Sequence, residues 1–470
     1  MPANDGIQPP QKRDYNCRIP VLDQHDKSGN RFFMPPILAL MICTIFVVFL
    51  LGLDRKQYPE ASLALWVPTV WILMTAIKPL GIWFGSGGAS MEEGSPLDRY
   101  VLTILALIGI IILTKRRFSW FSAFKDNIWV FLLLSFMLVS IIWSDMPFAS
   151  LKRWMRELIA VIMALIVATE LKPIKALMSI FKRIIYIVIP FSYILIQYFP
   201  HLGRLYDRWF GKLIWIGVAS AKNGLALLSL FAIFIFAWSF IGRRRGNNNP
   251  ISGYQTYIEI FIMIIAIWLF MGPSHSLTYS ATSTVTLIIG LMSLIGLQWI
   301  YKHRIFIHLN TLTIIILAVI VLGTATSFYG GLMMSDVAFL FNRNETLTGR
   351  TDIWAYLIPY AMSNPLGGHG FGGFWTDAHR EATSSHAHNG YLDIVLNIGF
   401  VGLILFSSYL LHCCRRAHKL LIYDFDKGCL WICILLMIVV NNMTESSVTS
   451  FTDFLAAINL FMLMSTSDNL

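Results

Sequence analysis

Asn342-Arg343-Asn344-Glu345-Thr346-Leu347-Thr348-Gly349-Arg350-Thr351-Asp352-Ile353-Trp354 opens a polar stretch that continues through Pro365-Leu366-Gly367-Gly368-His369-Gly370 and His386-Ala387-His388-Asn389 to Gly402. It is rich in Gly and His and lies between long apolar runs. A polar segment of roughly sixty residues without long periodic elements is uncommon inside a compact domain and is usually functional. Here it reads as one large loop carried by a membrane protein, with its bases and cations exposed to solvent.

The flanking sequence supports that reading. Of 470 residues, 56% are hydrophobic and 13% charged, too apolar a balance for a soluble enzyme. Thirteen apolar segments approach spanning length: 36–53, 61–78, 99–114, 127–143, 153–170, 181–199, 221–240, 254–272, 282–299, 309–327, 391–411, 428–441 and 451–465. None alternates as a barrel strand does, so the expected fold is an all-α polytopic membrane protein. It would have about 12–13 transmembrane helices and one large extracytoplasmic loop containing short helices. The expected division is a polar tail over 1–35, a helix bundle over 36–327, a loop carrying the active site over 328–390, and C-terminal transmembrane helices over 391–470. The tail lacks a signal-peptide core, and no lipidation motif is present.

The net charge of +10 does not read as nucleic-acid binding, because the basic residues are dispersed over short loops. Lys115, Arg116, Arg117 and Lys125 follow the third segment, and Arg243, Arg244 and Arg245 the seventh. Lys302 and Arg304 follow the ninth, and Arg415, Arg416 and Lys419 the eleventh. All follow odd-numbered segments and share one side, which the positive-inside rule makes cytoplasmic. The insert after the tenth segment then lies outside. Thirteen crossings would place the basic tail (Lys12, Arg13, Lys27, Arg31) outside too, unless one early segment does not cross; the sequence leaves both options open. The six cysteines show no zinc spacing, and none lies in an external loop.

Several polar groups mark the outer side. Trp143-Ser144-Asp145-Met146-Pro147 precedes Lys152, Arg153 and Arg156. The plain reading is a turn with helix-end anchors; the sharper one is an anion bound by Arg153 or Arg156. Lys222-Asn223-Gly224 enters the seventh segment, where Asn reads as a cap and Lys222 as a snorkelling residue or a phosphate contact. Arg350 falls in the first turn of a helix whose Trp354, Leu357, Ile358, Ala361 and Met362 recur at helical spacing. A cation is poorly placed there unless an anion compensates it. A salt bridge to Asp352, Glu345 or Asp336 competes with phosphate binding by the guanidinium fork. The glycines of 367–373 are not a nucleotide loop and read as flexibility or close backbone approach. His386 and His388 suit a general base better than a metal site, since no carboxylate-rich ligand set is near in sequence; surface histidines capping a span are the plain alternative. Glu445, in Asn441-Asn442-Met443-Thr444-Glu445-Ser446-Ser447, reads as a buried carboxylate paired with an arginine.

Taken in order, Gly94-Ser95-Pro96-Leu97-Asp98-Arg99, Trp143-Ser144-Asp145, Leu151-Lys152-Arg153, Lys222-Asn223-Gly224, Leu347-Thr348-Gly349-Arg350-Thr351-Asp352-Ile353-Trp354 and Asn442-Met443-Thr444-Glu445-Ser446 resemble the O-antigen ligase and polymerase superfamily. The likeness is to its exopolysaccharide-polymerase branch. The closing signature is His388-Asn389 followed by Gly399 and Gly402.

The resemblance implies a metal-independent, cofactor-free, inverting glycosyltransferase in the bacterial inner membrane. Its donor would be an undecaprenyl-diphosphate-linked oligosaccharide on the periplasmic face. His388 would be the general base, with Asn389 orienting a ring or a sugar hydroxyl. Arg350, Arg153 and Lys222 would hold the diphosphate, and His386, Arg343 and Glu445 would support them. The lipid bilayer, a flippase and a chain-length regulator are the implied partners, with no nucleic acid. Tyr279-Ser280-Ala281-Thr282-Ser283 departs from the pattern, because relatives carry a cation there; Lys222, Arg153 or Arg343 would have to supply it. Polymerisation is the leading expectation. Ligation to lipid A core or protein is the alternative, and a polysaccharide or lipid transporter is the alternative from another class. A transporter would carry charges within several spans and an internal repeat, and no convincing repeat is seen.

Overall fold

A computed structural model of the chain describes residues 34–84, 95–116, 118–206, 211–244, 253–274, 277–329, 350–383, 386–446 and 449–466. The protein is an all-α polytopic membrane protein. Its helices are α1 (Pro36–Gln57), α2 (Trp66–Ala76), α3 (Leu80–Trp83), α4 (Pro96–Lys115), α5 (Trp120–Asp126), α6 (Ile128–Val139), α7 (Pro147–Ala168), α8 (Pro173–Tyr198) and α9 (Pro200–Gly203). Then follow α10 (Lys222–Arg244), α11 (Gly253–Met271), α12 (Ala281–Lys302), α13 (Leu309–Tyr329), α14 (Arg350–Ser363), α15 (Asp377–Ala382), α16 (Gly390–Tyr423), α17 (Phe425–Asn441) and α18 (Phe454–Met464). A small antiparallel hairpin, β1 (Arg204–Tyr206) and β2 (Leu213–Trp215), joins α9 to α10.

Every one of the thirteen apolar segments is helical. Among the described residues, eight helices (α1, α4, α8, α10, α11, α12, α13 and α16) are long and apolar enough to cross a membrane. The pair 120–126 and 128–143, bent by 95°, makes a ninth if counted as one span. The rest are shorter, or in α7 begin with the charged run Lys152-Arg153…Arg156-Glu157. Pro at the first turn starts α1, α4, α7 and α8, where its missing N–H costs no intrahelical bond. The centre is α8, α10, α17 and α18, whose side chains are mostly buried. α1 and α4 present Ile37, Ile45, Ile104 and Ile111 outward, as lipid-facing helices do.

Charge separates the two ends of the bundle. At one end Asp54 pairs with Arg183 (2.7 Å), Arg116 with Glu170 (2.5 Å), and Glu259 with both Lys182 (2.7 Å) and Arg243 (2.5 Å). Burying such ions is costly unless they are paired, and here each carboxylate has its cation. The polar insert belongs to the opposite end. Asp54, near the C-terminus of α1, meets Arg183 in the first half of α8, so the two helices run antiparallel and Pro36 starts at the insert's end.

Candidate active site

Four separate segments meet on one carboxylate. Arg350, opening α14, donates from Nη2 to Glu445 Oε1 at 2.7 Å. Asn223, in the first turn of α10, donates from Nδ2 to the same oxygen at 2.7 Å. His388, just before α16, places Nδ1 3.5 Å from Glu445 Oε2. Glu445 itself lies in the turn after α17. The His386 ring stands edge-on to that of His388, with centroids 4.1 Å apart. Arg350 therefore has its compensating anion, and it is Glu445 rather than its sequence neighbour Asp352. Among the described residues this bond uses one donor of the guanidinium, whose fork carries five N–H groups in all.

Lys222 sits beside this cluster, with Nζ 5.9 Å from the centroid of the Tyr279 ring. It thus covers the stretch in which the sequence lacks a cation. Arg343 lies outside the described residues. Hydroxyls line the adjoining wall. Ser280 donates to Asn223 Oδ1 (3.4 Å), Thr444 to Thr282 (2.9 Å), and Asn441 Nδ2 donates to Thr286 (3.2 Å).

The turn bearing His388 is held from all sides. His388 adopts φ 52°, a left-handed conformation that few non-glycine residues tolerate and that surrounding contacts must enforce. Its N–H donates to His386 Nδ1 (3.3 Å). The Ala387 carbonyl accepts from Trp354 Nε1 (2.8 Å), and the Ala387 N–H donates to the Asp393 carboxylate (3.1 Å to Oδ2). Asp393 also accepts from Trp375 Nε1 (3.0 Å) and from the Ser446 hydroxyl. Asn389 is fully buried. Its Oδ1 accepts from the N–H groups of Tyr391 and Leu392, capping α16, and its Nδ2 donates to the Gly323 carbonyl (2.8 Å). The amide is thereby committed to the backbone around His388 and not to a sugar. Sequence reading missed Asp393 and Trp375; the signal available was a lone carboxylate one turn inside an apolar run.

Electrostatics follow from these contacts. Burial pushes the Glu445 carboxyl up, but the His388 and Arg350 contacts outweigh it and hold the group below the ordinary glutamate range. Burial, reinforced by the neighbouring His388, lowers the His386 imidazole to about 4. Nδ1 of His388 makes no hydrogen bond among the described residues; the negative charge of Glu445, 3.5 Å away, favours a proton there, which leaves Nε2 as the acceptor. His386, His388 and Glu445 each also offer one ligand atom within 4.8 Å of the others, a geometry that can hold a metal ion. That three-residue set was invisible in sequence because Glu445 is far along the chain.

The glycine run has a packing role. At Gly399 (φ 65°, ψ −172°) the long helix α16 breaks, and the Phe400 N–H donates to the Pro365 carbonyl (2.7 Å). A Cβ on Gly399 would meet Leu366 O at 2.1 Å. On its other side the run presses on the Trp143-Ser144-Asp145 turn. Trp143 Nε1 donates to Gly367 O (3.2 Å), the Phe371 N–H to Ser140 Oγ (2.9 Å), and a Cβ on Gly373 would lie 2.1 Å from Ser144 Oγ. Arg153 lies along Gly372, where an added Cβ would come within 2.6 Å of its Cδ. The structure therefore places Arg153 against the glycine loop, and Arg350, His388, His386, Asn389 and Glu445 together with Lys222 nearby.

Residues 274–407 match the family described as O-Antigen ligase. The match takes in Arg350, His386, His388 and Asn389 and ends before Glu445. The exopolysaccharide production protein ExoQ of Rhizobium meliloti (strain 1021) is 24% identical over 325 residues, covering 66% of this chain and 70% of that protein.

Proposed function

We propose that this chain, a member of the O-antigen ligase and polymerase superfamily and so a membrane polysaccharide polymerase or ligase, polymerises undecaprenyl-diphosphate-linked oligosaccharide repeats. The observation that carries this reading is the single Glu445 carboxylate that holds both a cation and a histidine. The nucleophile is a sugar hydroxyl. His388 Nε2 takes its proton as the oxygen bonds to the anomeric carbon of the donor, and the bond from that carbon to the diphosphate breaks with its electron pair leaving on phosphate. A single displacement inverts the anomeric centre. Glu445 orients His388 and stabilises the imidazolium as it forms. Arg350 and Lys222 meet the charge that develops on the leaving diphosphate.

No metal is required by this scheme, since the guanidinium against Glu445 supplies the positive charge a divalent ion would bring. The reaction runs on the periplasmic face of the inner membrane, because the end opposite the insert carries the basic loops. A flippase and a chain-length regulator are the partners such a step implies. Ligation differs only in the acceptor, and the family description keeps it as the second reading. A transporter is disfavoured by a base and a cation gathered on one carboxylate at the end of the bundle.

The test is incubation of purified protein with defined lipid-linked repeats, with and without EDTA. Polymer is expected in both. His388→Ala should lower the rate by about a hundred- to ten-thousand-fold while the donor still binds, and His386→Ala should be milder. Normal polymer from His388→Ala defeats the reading. Activity lost to EDTA and restored by a divalent ion turns His386, His388 and Glu445 into metal ligands.

A further inference from the structure

A second polar site lies apart from His388, at the same end of the bundle. A cavity of ≈ 240 Å³ opens between α2, α4 and α7. Trp71, Met74 and Leu102 make its apolar wall, and Ser95, Arg156 and Thr452 its polar rim. The volume far exceeds the roughly 10–15 Å³ that one water needs. Ser95 is 5% exposed and its Oγ has no hydrogen-bond partner among the described residues. Arg156 makes no hydrogen bond or close ion pair among the described residues, its one recorded charge interaction being with the adjacent Glu157. The one carboxylate on the rim, Asp98, is committed to the backbone N–H of Leu80 (2.9 Å). A guanidinium that makes no hydrogen bond among the described residues and an orphaned hydroxyl beside an apolar wall fit an anionic head with a hydrocarbon tail.

This cavity is tied to the reaction site by one loop. Glu157, next to Arg156, accepts from the Ser450 hydroxyl (2.5 Å) and the Phe451 N–H (2.6 Å). From Thr452 back to Glu445 is seven residues of chain, about 25 Å at most when extended. The separation has a chemical meaning if the reading above is correct, on which this inference rests. Polymerisation brings two lipid diphosphates together. One is the leaving group, beside His388. The other remains on the acceptor, one oligosaccharide repeat away from the attacking hydroxyl. Ligation to an acceptor without a diphosphate needs no second site. We infer that the cavity between α2, α4 and α7 binds the diphosphate of the acceptor lipid through Arg156 and Ser95, which makes the chain a polymerase.

The experiment titrates undecaprenyl diphosphate into the full chain in nanodiscs and counts bound equivalents by native mass spectrometry. The wild type should bind two. Arg156→Gln should bind one. Thr75→Trp, which fills the cavity without changing charge, should also bind one, and that remaining equivalent shows it is folded. Arg350→Gln should lose the other. In assays with lipid-linked repeats, Arg156→Gln should raise the KM for acceptor at least tenfold and leave that for donor unchanged. Two equivalents retained by both Arg156→Gln and Thr75→Trp overturns the inference, as does displacement by phosphatidylglycerol as effective as by undecaprenyl diphosphate. If Arg156→Gln loses one equivalent and Arg350→Gln none, the cavity stands and the assignment of the donor site falls.

Discussion

At the scale of single residues, Glu445 is the pivot. With His388 neutral, the Arg350–Glu445 pair carries no net charge, so in the proposed reaction the net attraction for a diphosphate comes from Lys222. Glu445→Gln leaves Arg350 uncompensated and removes the orienting carboxylate. Donor lipid should therefore bind as well or more tightly, while turnover falls about a hundred-fold or more; equilibrium binding and rate measured on one preparation separate the two. Weaker binding with normal turnover would show that the carboxylate serves the lipid and not the histidine. Arg350→Lys keeps the charge but loses the fork, and activity should drop sharply, each charge-assisted hydrogen bond being worth roughly 1.5–3 kcal/mol. His386 makes a pH prediction. Its imidazole is lowered to about 4 from the ordinary 6.5, so between these values the unfolded chain binds a proton that the folded chain does not. Its contribution to stability is full above pH 6.5 and is lost as the pH falls toward 4. The thermal midpoint in detergent should decline over that window, and His386→Gln should flatten the decline.

At the scale of elements, the break in α16 decides whether the site assembles. Gly399 occupies a region of backbone space open almost solely to glycine, and the Pro365–Gly368 segment docks into the space this creates. Gly399→Ala should cost about 1–3 kcal/mol in backbone strain alone, with a steric clash added, and the yield of monodisperse protein should fall. Gly52, inside α1, has nothing within 4 Å of an added Cβ. Gly52→Ala should be neutral or stabilising by about 0.5–1 kcal/mol. Equal yields from the two variants would show that the break is not needed for folding.

At the scale of the molecule, the two ends do different work. The buried ions around Glu259 tie α8, α10 and α11 together far from the reaction site. Glu259→Gln leaves Lys182 and Arg243 short of their shared anion, and breaking such a pair costs about 3–5 kcal/mol; thermal stability should fall while residual folded protein keeps its KM. The orientation of the whole is testable with thiol reagents. A cysteine at Ala382, exposed on α15, should react with an impermeant reagent in cells whose outer membrane is opened. A cysteine at Lys56, exposed at the other end, should react only after lysis. The reverse pattern would put the site on the cytoplasmic side.

Local patterning alone determined the fold class. A chain this apolar must satisfy its backbone within each span, and all thirteen apolar segments proved helical for that reason. The same patterning put Arg350 in the first turn of a helix, Lys222 at the entry to α10 and Asn389 just before the apolar run of α16. Composition could not show which polar residues meet. Glu445 lies 95 positions from Arg350 and 222 from Asn223, and only the packing of α17 against α12 and α16 brings its carboxylate to them. Gly399 and the 367–373 run are separate motifs along the chain; they become one joint because a helix break leaves backbone groups that another segment must satisfy. Asp393 reads as one acid in an apolar run until Trp375, Ala387 and Ser446 are seen to converge on it. Periodicity is a local property and sequence records it. Partnership between distant polar groups is set by burial, which exists only once the helices have packed.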